Sequence, residues 1–134
     1  MRVVLDTNVL MSGIFFGGIP GRLLIGWREK MIQFVVSDDI LDEYRQVAIR
    51  LSERYPEIDI SNIVDILAQQ SERVEARPLS EPVSVDPDDD KFLACAFAGG
   101  VDRVVSGDSD LLSVQEFRGI PILTPRAFMD ELSD

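Results

Sequence analysis

Short apolar runs without polar alternation occur at residues 3–5, 34–36 and 104–105. Runs of this kind are typical of strands that are buried on both faces of a parallel sheet. Between them, apolar residues recur every three or four positions, which is the pattern of helices with one buried face. Strands that alternate with helices predict a doubly wound α/β domain, because a parallel sheet needs crossover helices on both of its faces.

Five segments carry the helical pattern. We predict helices at 20–31, at 39–55, at 60–72, from Asp89 or Asp90 to Gly99, and at 125–132. The buried faces of the first and fourth helices are expected to include Met31 and Phe97. Thr124 is suited to cap the last helix, and Pro125 is suited to its first position. Residues 77–87, rich in proline and serine, predict an extended connector within one domain.

The chain has 134 residues and is 46% hydrophobic, which is enough for one continuous core, so residues 1–134 predict a single domain. It has no long apolar stretch, and its first residues lack the features of a secretory signal. We therefore expect a soluble, cytoplasmic protein without membrane association.

The single cysteine, Cys95, lies in an apolar helical run, which favours a buried packing role over a reactive one.

Histidine is absent, which excludes Ser-His-Asp and Cys-His mechanisms and every histidine-ligated metal site. Any catalysis must therefore use carboxylates.

The 24 acidic and 13 basic residues give the chain a net charge of −11, and a protein of this charge as a whole repels nucleic acid. This charge is compatible with nucleic-acid chemistry if the acids concentrate at a metal site, where divalent cations invert the local charge, or if a partner supplies a basic surface.

Two acids come directly after predicted strands. Asp6 follows residues 3–5, and Asp108 comes shortly after residues 104–105. Ligand sites in doubly wound folds lie at the carboxyl ends of the strands. Either acid alone has an even chance of being only the cap of a turn or helix. Because two strands end in acids at the same edge of the sheet, a shared site is favoured over two unrelated caps.

Three further acids are candidates because of their helical positions. Glu43 lies beside the apolar stripe of its helix, where it is either an inward-facing acid or a boundary glutamate whose head reaches water. Helical phase selects Asp90 as the inward member of the run 88–90, and the alternative is a cap followed by surface charges at a helix start. Asp110 is either a further metal ligand or the cap of a short turn.

Carboxylates that cluster within a few ångströms repel one another unless cations neutralise them. Hard oxygen donors select Mg²⁺ or Mn²⁺. One or two such ions can activate a water molecule, orient it in line with a phosphodiester and stabilise the leaving oxygen. This chemistry needs no histidine, so the pattern of acids predicts metal-dependent hydrolysis of a phosphodiester.

Four segments in this order resemble the PIN domain family: Asp6-Thr7-Asn8, Glu43, residues 90–96 and residues 106–110. The resemblance covers essentially the whole chain and implies a three-layer α/β/α sandwich with a five-stranded parallel sheet in the order 3-2-1-4-5. It also implies that the catalytic acids, which bind Mg²⁺ or Mn²⁺, are Asp6, Glu43, Asp90 and Asp108. Asp110 matches an auxiliary metal ligand, and we assign supporting roles to Asn8 and Ser106.

In that family the acids cleave RNA, so the resemblance implies a metal-dependent endoribonuclease. Many relatives are toxins of toxin–antitoxin pairs and many dimerise, which makes an antitoxin protein and a second copy of the chain candidate partners beside the RNA substrate. Basic residues on two helices are candidate phosphate contacts: Arg22, Arg28, Lys30, Arg45, Arg50 and Arg54. Arg22 and Arg45 are our choice for substrate binding, although such charges are more often solvated helix faces.

Two other functions use the same residues differently. A phosphatase of the haloacid-dehalogenase type also uses Mg²⁺ and would take Asp6 as its nucleophile, but its usual second aspartate is Asn8 here. A non-catalytic PIN-like scaffold would bind a partner, for example through residues 14–16, although core packing of Phe15 and Phe16 is the favoured role for this pair. The complete set of acids argues against the scaffold.

Overall fold

The structure is a computed structural model in which residues 1–133 are described. The strands are β1 (Arg2–Leu5), β2 (Gln33–Val36), β3 (Glu72–Arg73), β4 (Arg103–Val105), β5 (Glu116–Phe117) and β6 (Ile120–Leu123). The helices are α1 (Thr7–Phe16), α2 (Gly18–Arg28), α3 (Asp38–Arg54), α4 (Ile60–Gln70), α5 (Asp90–Gly99), α6 (Ser109–Leu112) and α7 (Pro125–Ser133). A 3₁₀ turn, Pro87–Asp89, leads directly into α5.

The strands form one sheet in the order β3-β2-β1-β4-β6-β5. Every neighbouring pair is parallel except β5 and β6. The five parallel strands therefore have the predicted order, with β6 as the fifth, and the predicted α/β class is confirmed. The predicted order includes a third strand, but its position at β3 was not predicted, because the two residues of β3 are charged and give no apolar signal. It lies where the third helix was expected to end.

The two-residue strand β5 was also not predicted. Arg118 and Gly119 connect it to β6 and have φ angles of 50° and 86°, a pair of positive values that suits a tight antiparallel hairpin. Phe97 is 51% exposed, although burial was predicted. The Phe97 ring packs edge-on against Phe117 at a centroid distance of 6.5 Å, beneath the Arg118 guanidinium at 4.3 Å.

The central strands supply the middle of the core. Val3, Val4, Val104 and Val105 have no exposed surface, as expected for strands that are covered on both faces. Helix α5 packs against β1, β2 and β4. It ends at Gly99 as predicted, and Gly100 follows in the left-handed conformation that commonly ends a helix.

Helix α1 was missed because it is apolar on nearly every side and shows no stripe of period 3.6. It lies close to α2, since a Cβ atom at Gly13 would approach the Pro20 carbonyl oxygen to 2.9 Å. Gly17, with a φ of 68°, separates the two helices. Among residues 1–133, no single helix meets the length and hydropathy expected of a membrane span; only α1 and α2 taken together do, and they are bent by 95°.

Two other apolar side chains predicted to be buried are exposed. Met31 is 52% exposed because α2 ends three residues earlier and the chain turns at Lys30, whose φ is 65°. Phe16 is 78% exposed at the end of α1. Its neighbour Phe15 packs against the Tyr55 ring at a centroid distance of 5.1 Å, so core packing holds for only one member of the pair.

Cys95 is fully buried in α5, as the sequence predicted. Burial raises the pKa of its thiol to about 12, and the negative charge of Glu72 adds to this effect, while a hydrogen bond with Ser37 opposes it. The thiolate is the reactive form of cysteine. A buried thiol with such a pKa is therefore protected from reagents in the folded protein.

We predict that a disulfide reagent labels Cys95 only after unfolding. In guanidinium chloride the thiol should react increasingly as the pH rises through about 9, its ordinary range. In the folded protein it should stay unreactive between pH 8 and 10, because its folded pKa is about 12. Stopped-flow absorbance of the released thiol measures both rates. Stoichiometric labelling of the folded protein within seconds at pH 9 would contradict the buried environment.

Candidate metal centre

Asp6 lies directly after β1, caps α1 and is only 4% exposed. Its carboxylate accepts hydrogen bonds from the Val9 amide at 2.9 Å, the Gly107 amide at 3.3 Å and the Ser106 hydroxyl. Burial raises the pKa of Asp6, these hydrogen bonds oppose the shift, and the charge of Asp108 adds to it. Asp6 therefore caps a helix through one oxygen, and its other oxygen contacts the segment that follows the neighbouring strand.

Asp108 follows β4 and caps α6 by accepting the Asp110 amide at 3.0 Å. Its own amide donates to the Ser106 hydroxyl at 2.9 Å. Fully buried Ser106 thus joins the two strand exits, because its hydroxyl donates to Asp6 and accepts from the backbone of Asp108. The register that pairs Leu5 with Val105 brings these segments together.

The prediction that helical phase turns Asp90 inward is wrong. Its two carboxylate oxygens accept the backbone amides of Val83 at 3.0 Å and Ser84 at 2.8 Å, which ties the carboxylate to the connector. Asp89 takes the inward position instead. The reason is local geometry: residues 87–89 form a 3₁₀ turn, whose side chains are spaced differently from those of an α-helix.

Asp89, Asp108 and Asp110 each offer a carboxylate oxygen, and these oxygens all lie within 4.8 Å of one another. We call these three residues the aspartate cluster. Burial raises the pKa of Asp89 to about 8, helped by a hydrogen bond shared with Asp108 and by the charges of Asp108, Asp86 and Asp6. The same hydrogen bond lowers the pKa of Asp108. The two carboxyl groups therefore share a proton when no cation lies between them.

The aspartate cluster fits a divalent cation. Oδ2 of Asp89 is buried and has no hydrogen-bond partner among the described residues. A buried polar oxygen without a hydrogen-bond partner is costly, and a bound cation would remove that cost. Three carboxylates without nitrogen or sulfur donors form a hard oxygen site, which suits Mg²⁺ or Mn²⁺.

Glu43 is held by a different set of contacts. Lys91 Nζ donates to its Oε1 at 2.7 Å, and the Thr7 hydroxyl donates to Oε2. Lys91 also contacts Asp88 Oδ1 at 3.2 Å. Burial alone lowers the pKa of Lys91, but the hydrogen bonds to Glu43 and Asp88 outweigh burial and raise it. Helix α3 is fixed beside the site because buried Tyr44 donates to the Leu5 carbonyl at 2.6 Å.

A cleft of about 290 Å³ opens over these groups. Its lining includes Asp6, Thr7, Asn8, Glu43, Gln46, Arg50, Asp88, Asp89 and Asp108. Of the predicted acids, Asp6, Glu43 and Asp108 therefore meet at one place, and Asp110 joins them through the aspartate cluster. Asn8 is exposed at the cleft, and Ser106 lies beneath it.

The basic residue in this cleft is Arg50 rather than Arg22 or Arg45. Arg45 pairs with Asp65 of α4 at 3.2 Å, and Arg22 is exposed on α2. Arg50 has no ion pair within the described part of the chain. The sequence could have indicated Arg50 through its spacing from Glu43. The two residues are seven positions apart, which is about two helical turns and places both side chains on one face of α3.

Comparisons with known proteins agree with this architecture. The family model of the PIN domain matches residues 2–110, so the chain belongs to the PIN domain family. The crystal structure of PAE2754 from Pyrobaculum aerophilum is similar, with a TM-score of 0.62 over 98% of this chain and 88% of that chain. At 13% sequence identity this likeness shows the fold alone. No curated protein matches the sequence significantly.

PIN domains are generally metal-dependent nucleases, and the aspartate cluster is a group of carboxylates that could hold a metal ion. Asp89 was missed as a member of this group. The sequence offered only the run 88–90, and the contact that removes Asp90 from the site comes from the connector.

We predict that Asp89→Asn raises the melting temperature of the metal-free protein by a few degrees, because it removes one of three crowded acids and keeps the side-chain shape. Added Mn²⁺ should stabilise the wild type by mass action and stabilise the variant less. Circular dichroism melting in EDTA and in Mn²⁺ measures both effects. The control Asp130→Asn, at an exposed position on α7, should change neither. A variant that melts lower in EDTA and gains as much from Mn²⁺ would contradict the assignment.

Proposed function

We propose that the protein is an endoribonuclease that hydrolyses RNA phosphodiester bonds with Mg²⁺ or Mn²⁺. The observation that carries this proposal is the aspartate cluster, whose buried Asp89 Oδ2 has no donor among the described residues. It lies beside Asp6 at the edge of the sheet where doubly wound folds bind their ligands. Membership of a family of metal-dependent nucleases supports the same chemistry.

The residues of the cleft would have different roles in this reaction. Asp89, Asp108 and Asp110 would hold the ion, which when bound supplies an activated water and stabilises the leaving oxygen. Asp6 adds negative charge beside them, and Ser106 fixes its carboxylate through a hydrogen bond. Lys91 and Thr7 fix Glu43 at the wall of the cleft. Arg50 and Asn8 are available to contact the RNA backbone, because both line the cleft.

The net charge of −11 opposes binding of a polyanion. Much of the acidic charge near the cleft would be neutralised by a bound divalent cation. Arg50 then provides a positive group at the position where a phosphate would enter. We therefore infer that RNA binding depends on the metal.

We predict that Asp108→Asn lowers Mn²⁺-dependent cleavage of an RNA library by more than about 100-fold, the upper range seen when groups that merely support metal ligands are removed. Asp6→Asn should act similarly. Both variants should melt at or above the temperature of the wild type, because asparagine also caps helices and removes a crowded charge. Gel analysis of the cleaved RNA measures the rate, with Asp130→Asn as the control. Undiminished cleavage by either variant would overturn the proposal.

We predict that Arg50→Ala raises the KM for RNA and leaves Mn²⁺ affinity unchanged, because the guanidinium contacts the substrate and not the ion. The salt dependence of RNA binding should also lose about one unit of slope, as expected for one lost phosphate contact. The matched control is Arg54→Ala, one turn further along α3 and absent from the lining of the cleft. If both variants behave alike, Arg50 has no specific role.

A toxin role, an antitoxin partner and a homodimer stay predictions. The phosphatase alternative is weaker, because both carboxylate oxygens of Asp6 are engaged by hydrogen bonds and the side chain is buried. Trapping of phosphate covalently on Asp6 would revive it. The non-catalytic scaffold would be favoured instead if calorimetry detected no Mn²⁺ binding and Asp6→Asn changed no activity.

A further inference from the structure

Lys91 places a positive charge beside the acidic cleft, where it contacts two of the acids that line it. Its ammonium lies 2.7 Å from Glu43 Oε1 and 3.2 Å from Asp88 Oδ1. The Lys91 and Glu43 side chains are only 20% and 21% exposed. Partial burial at both ends distinguishes this pair from the ion pairs at the protein surface, which contribute little.

Both oxygens of Glu43 are occupied. Oε1 accepts from Lys91, and Oε2 accepts from the Thr7 hydroxyl, which lies next to Asp6 in the chain. Glu43 is also outside the aspartate cluster, whose members come from the turn before α5 and from the segment after β4. The carboxylates therefore form two groups, one neutralised by a protein side chain and one without a cation of its own.

A divalent ion bound to Glu43 Oε1 would lie about 2.1 Å from that oxygen and hence within about 5 Å of the Lys91 ammonium. Positive charges at that distance repel strongly in a partly buried site. The ammonium and a metal ion thus exclude each other at Glu43. Among residues 1–133, no basic side chain forms an ion pair with the aspartate cluster, so an ion there would meet no such repulsion.

We propose that Lys91 acts as a permanent cation at Glu43, so that the centre binds one divalent ion per chain and not two. This inference rests on the proposed metal-dependent function and specifies the number of ions. Glu43 is then a positioning residue that holds Lys91 and Thr7, and the aspartate cluster supplies the direct ligands. Lys91 follows Asp90 in the first turn of α5, directly after the 3₁₀ turn that contains Asp89, so the same local geometry places both side chains.

The test is the number of Mn²⁺ ions bound by the full chain, measured by electron paramagnetic resonance of free Mn²⁺ and by calorimetry. We expect one ion in the wild type and two in Lys91→Met, the second binding through the released Glu43. The double variant Lys91→Met with Glu43→Gln should return to one. Lys91→Arg, which keeps the charge, and Lys30→Met, which removes the other lysine of the chain at an exposed position, should both bind one.

The outcomes separate this inference from the proposed function. Two ions in the wild type, or one ion in a Lys91→Met variant shown to be folded by circular dichroism, would overturn the role of Lys91 and leave the nuclease proposal intact. No ion in the wild type would overturn both. If Lys91→Met does not fold, Lys91→Gln replaces it, and the wild-type count still decides the number of ions.

Discussion

The pairing of β1 with β4 is the contact on which the site depends. The Asp6 amide continues the ladder by donating to the Val105 carbonyl at 3.0 Å, and the next residue, Ser106, turns its hydroxyl onto the Asp6 carboxylate. Parallel strands end at the same edge of a sheet, so this one pairing brings Asp6 and Asp108 together from distant parts of the chain. Buried Ser106 sets their relative positions, because it bonds to both residues.

Crowding of like charges is the second constraint, and the protein relieves it in two ways. Lys91 pairs with both Glu43 and Asp88, and its single charge offsets one of their two negative charges. Asp89 and Asp108 share a proton, as the pKa of about 8 for Asp89 and the lowered pKa of Asp108 indicate. A cation can replace the shared proton but not the tethered ammonium. Repulsion among the carboxylates destabilises the metal-free site, and a cation bound at the same place would relieve it.

Several features of the site follow from local patterns. Asp6 and Asp108 were predicted because each comes at or soon after the end of a short apolar strand, and Glu43 because it borders an apolar helical stripe. Asp90 was predicted on the assumption that the helical phase extends to the start of α5, and this failed because the turn before it is 3₁₀. Burial of Phe97 was predicted from the helical pattern, but the side chain is half exposed and its ring packs against Phe117 and Arg118.

The sequence by itself determined the α/β class, the order of the parallel strands through the family resemblance, and a chemistry restricted to carboxylates by the absence of histidine. The class and the restriction to carboxylates follow from periodicity and composition, whereas the strand order follows from the family resemblance. Only the tertiary structure decided that Asp89 faces the site, that Asp90 holds the connector, that Lys91 pairs with Glu43 across 48 residues, and that Arg50 lines the cleft. These contacts depend on which side chains meet when separate elements pack against one another. A local sequence pattern holds no information about contacts between distant parts of the chain.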